Sequence, residues 1–356
     1  MWVLNNNTPF AAERTWVRDK RGAEVWLVAV KGTFLINLDG SMQLAEEQEK
    51  VNIAPKFRGD PESSSLLYET DLPHFKKNTD ILIEGHAYAP GGKPVTRIDV
   101  ALKIGKIKKI LRVTGDRVWK NSLIDVSLSR PKPFVKLPLI YERAFGGADR
   151  NSKNPKYHDW DLRNPVGCGF AKKAKHLIGK PAPNIEDPSS LISNWKRYSR
   201  PAGFGPIAGH WSPRRELAGT YDQHWEKNRQ PLLPEDFDES YYQCAPKDQQ
   251  TSGYIKTGES FELYNMTHTG VLKFHLPRVS IGFTTQFDDN TKEEHRPVLH
   301  TIIVKPDFPR VVMVWHTRLE CHHKALKLLS TTIRVKKRIL QSEEEKEINA
   351  WESSIK

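Results

Sequence analysis

Cysteine is scarce: 356 residues hold three, Cys168, Cys244 and Cys321. An odd count at wide spacing excludes a disulfide framework, and a reducing compartment is the expectation. No run of about 18 apolar residues exists, which excludes a membrane-spanning helix. Residues 1–10 lack a basic start followed by an apolar run, so no leader peptide is expected. Together these point to a cytoplasmic protein with no membrane partner. Chemical signatures are missing as well. There is no Gly-x-Ser-x-Gly elbow for a nucleophile and no Gly-x-x-x-x-Gly-Lys-Ser/Thr loop for a nucleotide. The nearest glycine-rich string, Gly203-Phe204-Gly205-Pro206, reads as a turn with a rigid end. Without zinc-finger spacing or a recognition helix, nucleic acid is not an expected partner. No cofactor, metal or catalytic residue is expected.

Proline and tryptophan are plentiful, at 24 and 10 residues. Many rigid turns and large flat side chains suit β structure with long ordered loops better than a helical bundle. Strands are predicted over 24–37, 81–88, 98–104, 107–113, 118–119, 260–265, 270–276, 279–287, 300–304, 310–315 and 331–336. Asp39-Gly40 is a favoured hairpin turn pair, returning through 41–44. Ile98, Val100, Leu102 and Ile104 alternate with polar neighbours, the period of a half-buried strand. Turns at Gly105-Lys106 and Gly115-Asp116 predict an antiparallel meander. From 141 to 250 the periodicity vanishes, and proline, glycine, tryptophan and charge crowd together. A short helix is predicted over 188–198, with Leu191, Ile192 and Trp195 on one face. At the end, Ser342 with Glu345 fits a capping box, and Ile348, Trp351 and Ile355 fall at helical spacing. The expected fold is mainly β: an antiparallel sandwich or barrel-like body with long ordered loops, few short helices and an amphipathic C-terminal helix. The regions are 1–140 (β), 141–250 (ordered loops), 251–338 (β) and 339–356 (helix), with the β regions able to join in one composite domain.

Net charge is +12, which favours acidic partners of any kind. The charge reads as spread along the chain, densest at 103–112 and 334–338, as on solvated strand faces. His316, Cys321, His322 and His323 cluster, but neighbours on a strand point to opposite faces and cannot converge on a metal. Asp236, Asp238 and Glu239 follow prolines, and Asp159 and Asp161 flank Trp160. Such carboxylates could flank a glycosidic bond, or serve as turn and cap residues. Trp195, Trp211 and Trp225 stand among Arg197, Arg200, Arg214 and Arg215. Tryptophan and arginine are favoured in binding hot spots, and stack equally well on one another inside a fold.

The central block is most informative as a string. Tyr141-Glu142-Arg143-Ala144-Phe145-Gly146-Gly147 leads to Asn164-Pro165-Val166-Gly167-Cys168-Gly169-Phe170, then Pro183-Asn184-Ile185-Glu186. Pro201-Ala202-Gly203-Phe204-Gly205-Pro206 and Trp211-Ser212-Pro213-Arg214 follow. Ala218-Gly219-Thr220-Tyr221-Asp222 with Trp225, Leu233-Pro234 with Asp236-Phe237-Asp238, and Ala245-Pro246 with Asp248-Gln249 close it. Gly115-Asp116-Arg117 with Trp119 lies upstream. This order resembles the bacterial domain-of-unknown-function family 2169, over roughly residues 5–315. Members of that family accompany type VI secretion genes, and some act as adaptors. The resemblance implies a non-catalytic adaptor or chaperone that binds a toxic effector and helps load it onto the spike, with a PAAR-type tip protein nearby. Alternatives are a cell-wall glycan hydrolase and a basic nucleic-acid-binding protein. The candidate partner-binding residues are Arg143, Trp195, Trp211, Arg214, Tyr221, Asp222, Trp225, Asp248 and Gln249.

Overall fold

The strand Glu24–Ile36 is apolar along almost its whole length and buried on both faces. A strand covered on both sides reads as a continuous apolar run, because neither face needs polar residues. In the computed structural model, which describes residues 2–122, 125–256, 258–321 and 324–336, this strand is central to a six-stranded sheet. Ala11–Arg18 and Arg310–Glu320 flank it, Met42–Leu44 pairs with its end, and Val298–Lys305 and Asp80–Ile83 continue beyond Arg310–Glu320. Gly32 lets three rings close over this strand. A Cβ there would lie 3.0–3.1 Å from Phe10, Phe34 and Trp315.

A five-stranded antiparallel sheet runs Ile185–Glu186, Ile107–Thr114, Arg97–Ile104, Ser260–Tyr264, Val271–His275. Its alternating residues Val100, Leu102, Leu111, Val113, Phe261 and Leu263 meet Val28, Val30, Ile302, Val304 and Met313 of the first sheet in one core. A four-stranded sheet, Val3–Asn7, Leu328–Val335, Ile281–Phe287, Lys292–His295, adds Phe283 and Ile333. On the other face of the six-stranded sheet, Val25, Leu27 and Ala29 pack on Val51 and Leu72. Leu82, Ile303, Val312 and Val314 pack there on Cys244 and Ala245. The fold is mainly β, as the periodicity predicts, and its sheets stack; none of the described sheets closes on itself.

Two expectations are corrected. The predicted meander is divided among sheets. Arg97–Ile104 and Ile107–Thr114 form a hairpin, but Asp80–Ile83 pairs in parallel with Val298–Lys305. Arg117–Asn121 pairs instead with Val126–Leu128 and Pro181–Ala182. The helix expected over 188–198 is absent, because its groups bond outward instead of along a helix. Ile192 N–H donates to the Glu186 carboxylate at 2.9 Å, and Trp195 Nε1 donates to Asp125 at 2.8 Å. The α-helix of the block is Gln223–Asn228. The C-terminal helix expected over 339–356 lies outside the described residues, as do His322 and His323.

The block 141–250 is ordered and built into the body. Tyr141, Ala144, Ile185, Phe204 and Trp211 belong to the main core. Short ladders tie it together: Phe145–Gly146 pairs with Cys168–Gly169, and Ala148–Asp149 with Asp159–Trp160. Gly146 holds φ at +146°, and the Asn164 carbonyl would lie 2.2 Å from any Cβ there. Only glycine fits such a close approach. Beside it a second cluster forms from Trp119, Val126, Phe145, Ala171, Leu177, Ala182 and Ile192.

Candidate functional site

The candidate partner-binding residues separate by burial. Trp211 is 1% exposed and meets Tyr141 edge-on at 5.7 Å. Arg214 is buried against Glu69 at 2.7 Å and donates to the carbonyls of Ile207 and Tyr241 at 2.6 and 2.8 Å. Gln249 is fully buried and donates to the carbonyls of Ile81 and Phe204 at 2.7 and 3.0 Å. All three side chains are buried and hold the scaffold together. Half-buried Trp195 caps the second cluster. Its indole N–H, the first cause, holds the Asp125 carboxyl below the usual range. Arg143 pairs with Asp116 at 2.9 Å. Asp248 pairs with buried Lys109 at 2.9 Å, and Lys109 also donates to Gln249 at 2.7 Å.

Tyr221, Asp222 and Trp225 come together at the surface. Asp222 caps Gln223–Asn228 by accepting from Trp225 N–H at 2.9 Å. Tyr221 is exposed and meets the half-buried Trp225 ring at 4.7 Å. Of the nine residues, this trio alone forms one exposed unit.

The carboxylates behave as turn, cap and pair residues. Asp161 is buried against Arg163 at 2.6 Å. Asp159 pairs with Lys172 at 3.1 Å. Asp238 caps the turn Glu239–Tyr242. Asp236 accepts from the Thr220 hydroxyl and N–H at 2.7 and 2.9 Å, and the hydroxyl bond first of all lowers its pKa. Among the described residues no group of three His, Cys, Asp or Glu side chains is placed to hold a metal. Of the former candidates, His316 is buried in the six-stranded sheet, and Cys321 is a buried free thiol.

Two adjoining clefts open where segments 55–73, 148–166 and 209–215 meet, and they share Phe57 and His210. The larger, about 540 Å³, is bordered by Trp160, Leu162, Pro165, Arg150 and Arg215, with Trp211 at its base. The smaller, about 300 Å³, is lined by Tyr241, Tyr242, Glu69 and Arg214. His210 Nε2 accepts from the Trp211 indole at 3.0 Å. Burial first, then Arg214 and Arg215, lowers its pKa, so the ring is a neutral acceptor. The larger cleft mixes apolar side chains with two exposed cations, Arg150 and Arg215, and one exposed acid, Glu62. Trp160 was visible in the sequence only as a neighbour of carboxylates. Its signal is the local alternation: Asp161 points inward to Arg163, which leaves Trp160 and Leu162 outward. Arg214 and Arg215 divide in the same way, one buried and one exposed.

The family described as "Uncharacterized protein conserved in bacteria (DUF2169)" matches residues 21–316. The chain belongs to this family. The match runs from the central strand through the whole block into Arg310–Glu320, so it takes in the five-stranded sheet, most of the six-stranded sheet and both clefts, while Val3–Asn7, Ala11–Arg18 and Leu328–Val335 lie outside it. No curated protein and no solved structure matches the chain. Among the described residues no helix is long and apolar enough to cross a membrane.

Proposed function

We propose that this protein is a non-catalytic adaptor or chaperone of a type VI secretion system. It binds a toxic effector in the cytoplasm and helps load it onto the spike and its PAAR-type tip. The observation that carries this reading is the cleft bordered by exposed Trp160 and Leu162, set on a rigid block. Large, exposed aromatic side chains beside arginine are the usual anchors of protein association. A surface held by packed rings and proline turns loses little entropy on docking. The exposed unit of Tyr221, Asp222 and Trp225 offers a second contact area. The engagement of Asp159, Asp161, Asp236 and Asp238 in pairs and turns favours this reading over glycan hydrolysis, which requires two free facing carboxyl groups.

The test is co-purification from bacterial cells carrying the gene, with mass spectrometry of what is recovered, alongside an effector secretion assay on a deletion strain. Recovery of an effector or spike component, with loss of that effector's secretion on deletion, is expected. Unchanged secretion of every effector after deletion refutes the proposal.

A further inference from the structure

The charge of this protein is concentrated, not spread. Residues 117–200 hold seventeen lysines and arginines against seven aspartates and glutamates, a net of +10 out of the chain's +12. The fold sharpens the imbalance, because three of the seven acids are buried. Asp149 is held by His176 at 2.7 Å, Asp161 by Arg163 at 2.6 Å and Glu186 by Arg117 at 3.1 Å. Meanwhile Arg150, Lys153, Lys156, Lys173, Lys175 and Lys180 are exposed, and none forms an ion pair among the described residues. One lobe carries these cations. It stands on the second apolar cluster, is crossed by the Lys172–Asp159 pair at 3.1 Å, and borders the larger cleft through Arg150 and Trp160.

We propose that this lobe is the docking surface for an acidic polypeptide, which lays clustered carboxylates over the lysines and an apolar side chain beside Trp160. This deepens the adaptor reading by giving the partner a chemistry, and it rests on that reading for the partner's role. Charge complementarity selects an anion, since clustered cations of one sign raise the local concentration of acidic partners and speed their encounter. The exposed rings Tyr157, Trp160 and Tyr198 suit either a protein or a nucleic acid, and the exposed aliphatic side chains tip the choice to protein. Leu162, Ile178 and Val118 stand exposed in this lobe. Single-stranded nucleic acid is gripped by aromatic stacking and phosphate pairing, to which aliphatic groups add little. A polypeptide brings apolar side chains that can cover them.

The experiment uses the full chain and three anionic probes of comparable charge: a poly-glutamate peptide with interspersed leucines, mixed-sequence single-stranded DNA, and phosphatidylglycerol vesicles. Two variants are compared, K153E/K156E/K173E/K175E and its glutamine counterpart. All four lysines are exposed, and a thermal melt verifies folding. The control is K106E/K108E on the hairpin Arg97–Thr114. The peptide is expected to bind the wild type most tightly and to weaken with salt. Charge reversal weakens it by about tenfold or more, glutamine by less, and the hairpin control leaves it unchanged. Tighter binding of DNA or vesicles overturns the choice of partner. Wild-type affinity in the folded reversal or glutamine variant overturns the surface. If reversal abolishes peptide binding but deletion of the gene leaves secretion intact, the adaptor reading falls and the docking surface stands. If secretion needs the gene and the reversal variant supports it in full, the surface falls and the adaptor reading stands.

Discussion

Acid should unfold this protein through its buried histidines. His316 and His300 lie inside the six-stranded sheet with rings 5.5 Å apart. His316 Nε2 has no partner there, so a proton on it would be a buried charge with nothing to accept it. Burial, then His74, Lys76 and Arg318, pushes the His316 pKa down to about 3. Burial pushes His295 down to about 4, where its nitrogens face the Thr285 and Thr317 hydroxyls at 2.8 and 2.7 Å. Burial and Lys76 lower His300 as well. In the unfolded chain each ring titrates near about 6.5. The unfolded state therefore gains protons first as pH falls, and stability that is whole above that value drains away below it.

At pH about 4.5 the unfolded rings lie two units below their pKa, while His316 and His295 stay mostly neutral in the fold. Each then costs on the order of 2–3 kcal/mol relative to neutral pH. Two such losses are a large share of the roughly 5–15 kcal/mol that holds a typical domain together. Asp71 works in the opposite sense, since burial raises its pKa and protonation relieves a buried charge. Denaturant unfolding at neutral and mildly acidic pH measures the net. His316→Phe with His295→Gln removes both titrations and should shrink the acid loss by several kcal/mol, whatever it does to stability at neutral pH. An undiminished acid loss in the double variant would refute the reasoning.

Trp211→Ala should destabilise by about 3–5 kcal/mol, because it empties a large volume in the main core, whereas Trp160→Ala and Tyr221→Ala should each stay within about 1 kcal/mol and weaken partner binding instead; chemical denaturation and a binding assay on the same variants check both. Lys76→Met leaves Asp80 buried without its ammonium, now at 2.7 Å, and should cost about 3–5 kcal/mol by the same measurement. Asn164→Ala removes the amide that donates to the carbonyls of Phe145 and Tyr141 at 3.0 and 2.8 Å, and of the two only Tyr141 keeps a second donor, Ala144 N–H at 3.0 Å. A loss of about 1–3 kcal/mol is expected from the one buried acceptor left unpaired, and a melt unchanged from wild type would count against the role assigned to it.

The strands were legible where local pattern and pairing agree. Arg97–Ile104 alternates, and its hairpin partner follows after one turn. Asp80–Ile83 was legible as a strand but not as a neighbour of Val298–Lys305, because a parallel pairing across more than two hundred residues leaves no local mark. Ala11–Arg18 carries no strand signature of its own, because its residues are neither alternating nor strongly apolar; its pairing to Glu24–Ile36 supplies the order. The concentration of charge in 117–200 was readable from composition alone. The burial of Asp149, Asp161 and Glu186, which turns that excess into surface potential, was not. At the cleft, aromatic content marked the block that lines it, but burial decides which ring meets solvent and which is core: Trp160 is exposed and Trp211 is buried.

The same distinction explains why the block has so many polar residues in fixed company with glycine and proline. Irregular loops leave main-chain groups without the ladder partners that helices and sheets provide, and buried ones must be satisfied otherwise. Asn164 serves the carbonyls of Tyr141 and Phe145, and Asn184 that of Thr114 at 2.9 Å. Arg214 serves Ile207 and Tyr241, and Gln249 serves Ile81 and Phe204. Glu186 and Asp149 take the N–H groups of Ile192 and Lys172, each at 2.9 Å. These side chains replace secondary structure, so each has one permitted chemistry and length. Arg150, Lys153, Lys156 and Trp160 carry no such duty. Under the adaptor proposal, substitutions at these positions change the rim without touching the scaffold. Exchanging the exposed positions between two members of the family should move partner preference while leaving the melting temperature within a few degrees, whereas replacing Asn164, Arg214 or Gln249 by alanine should lower it.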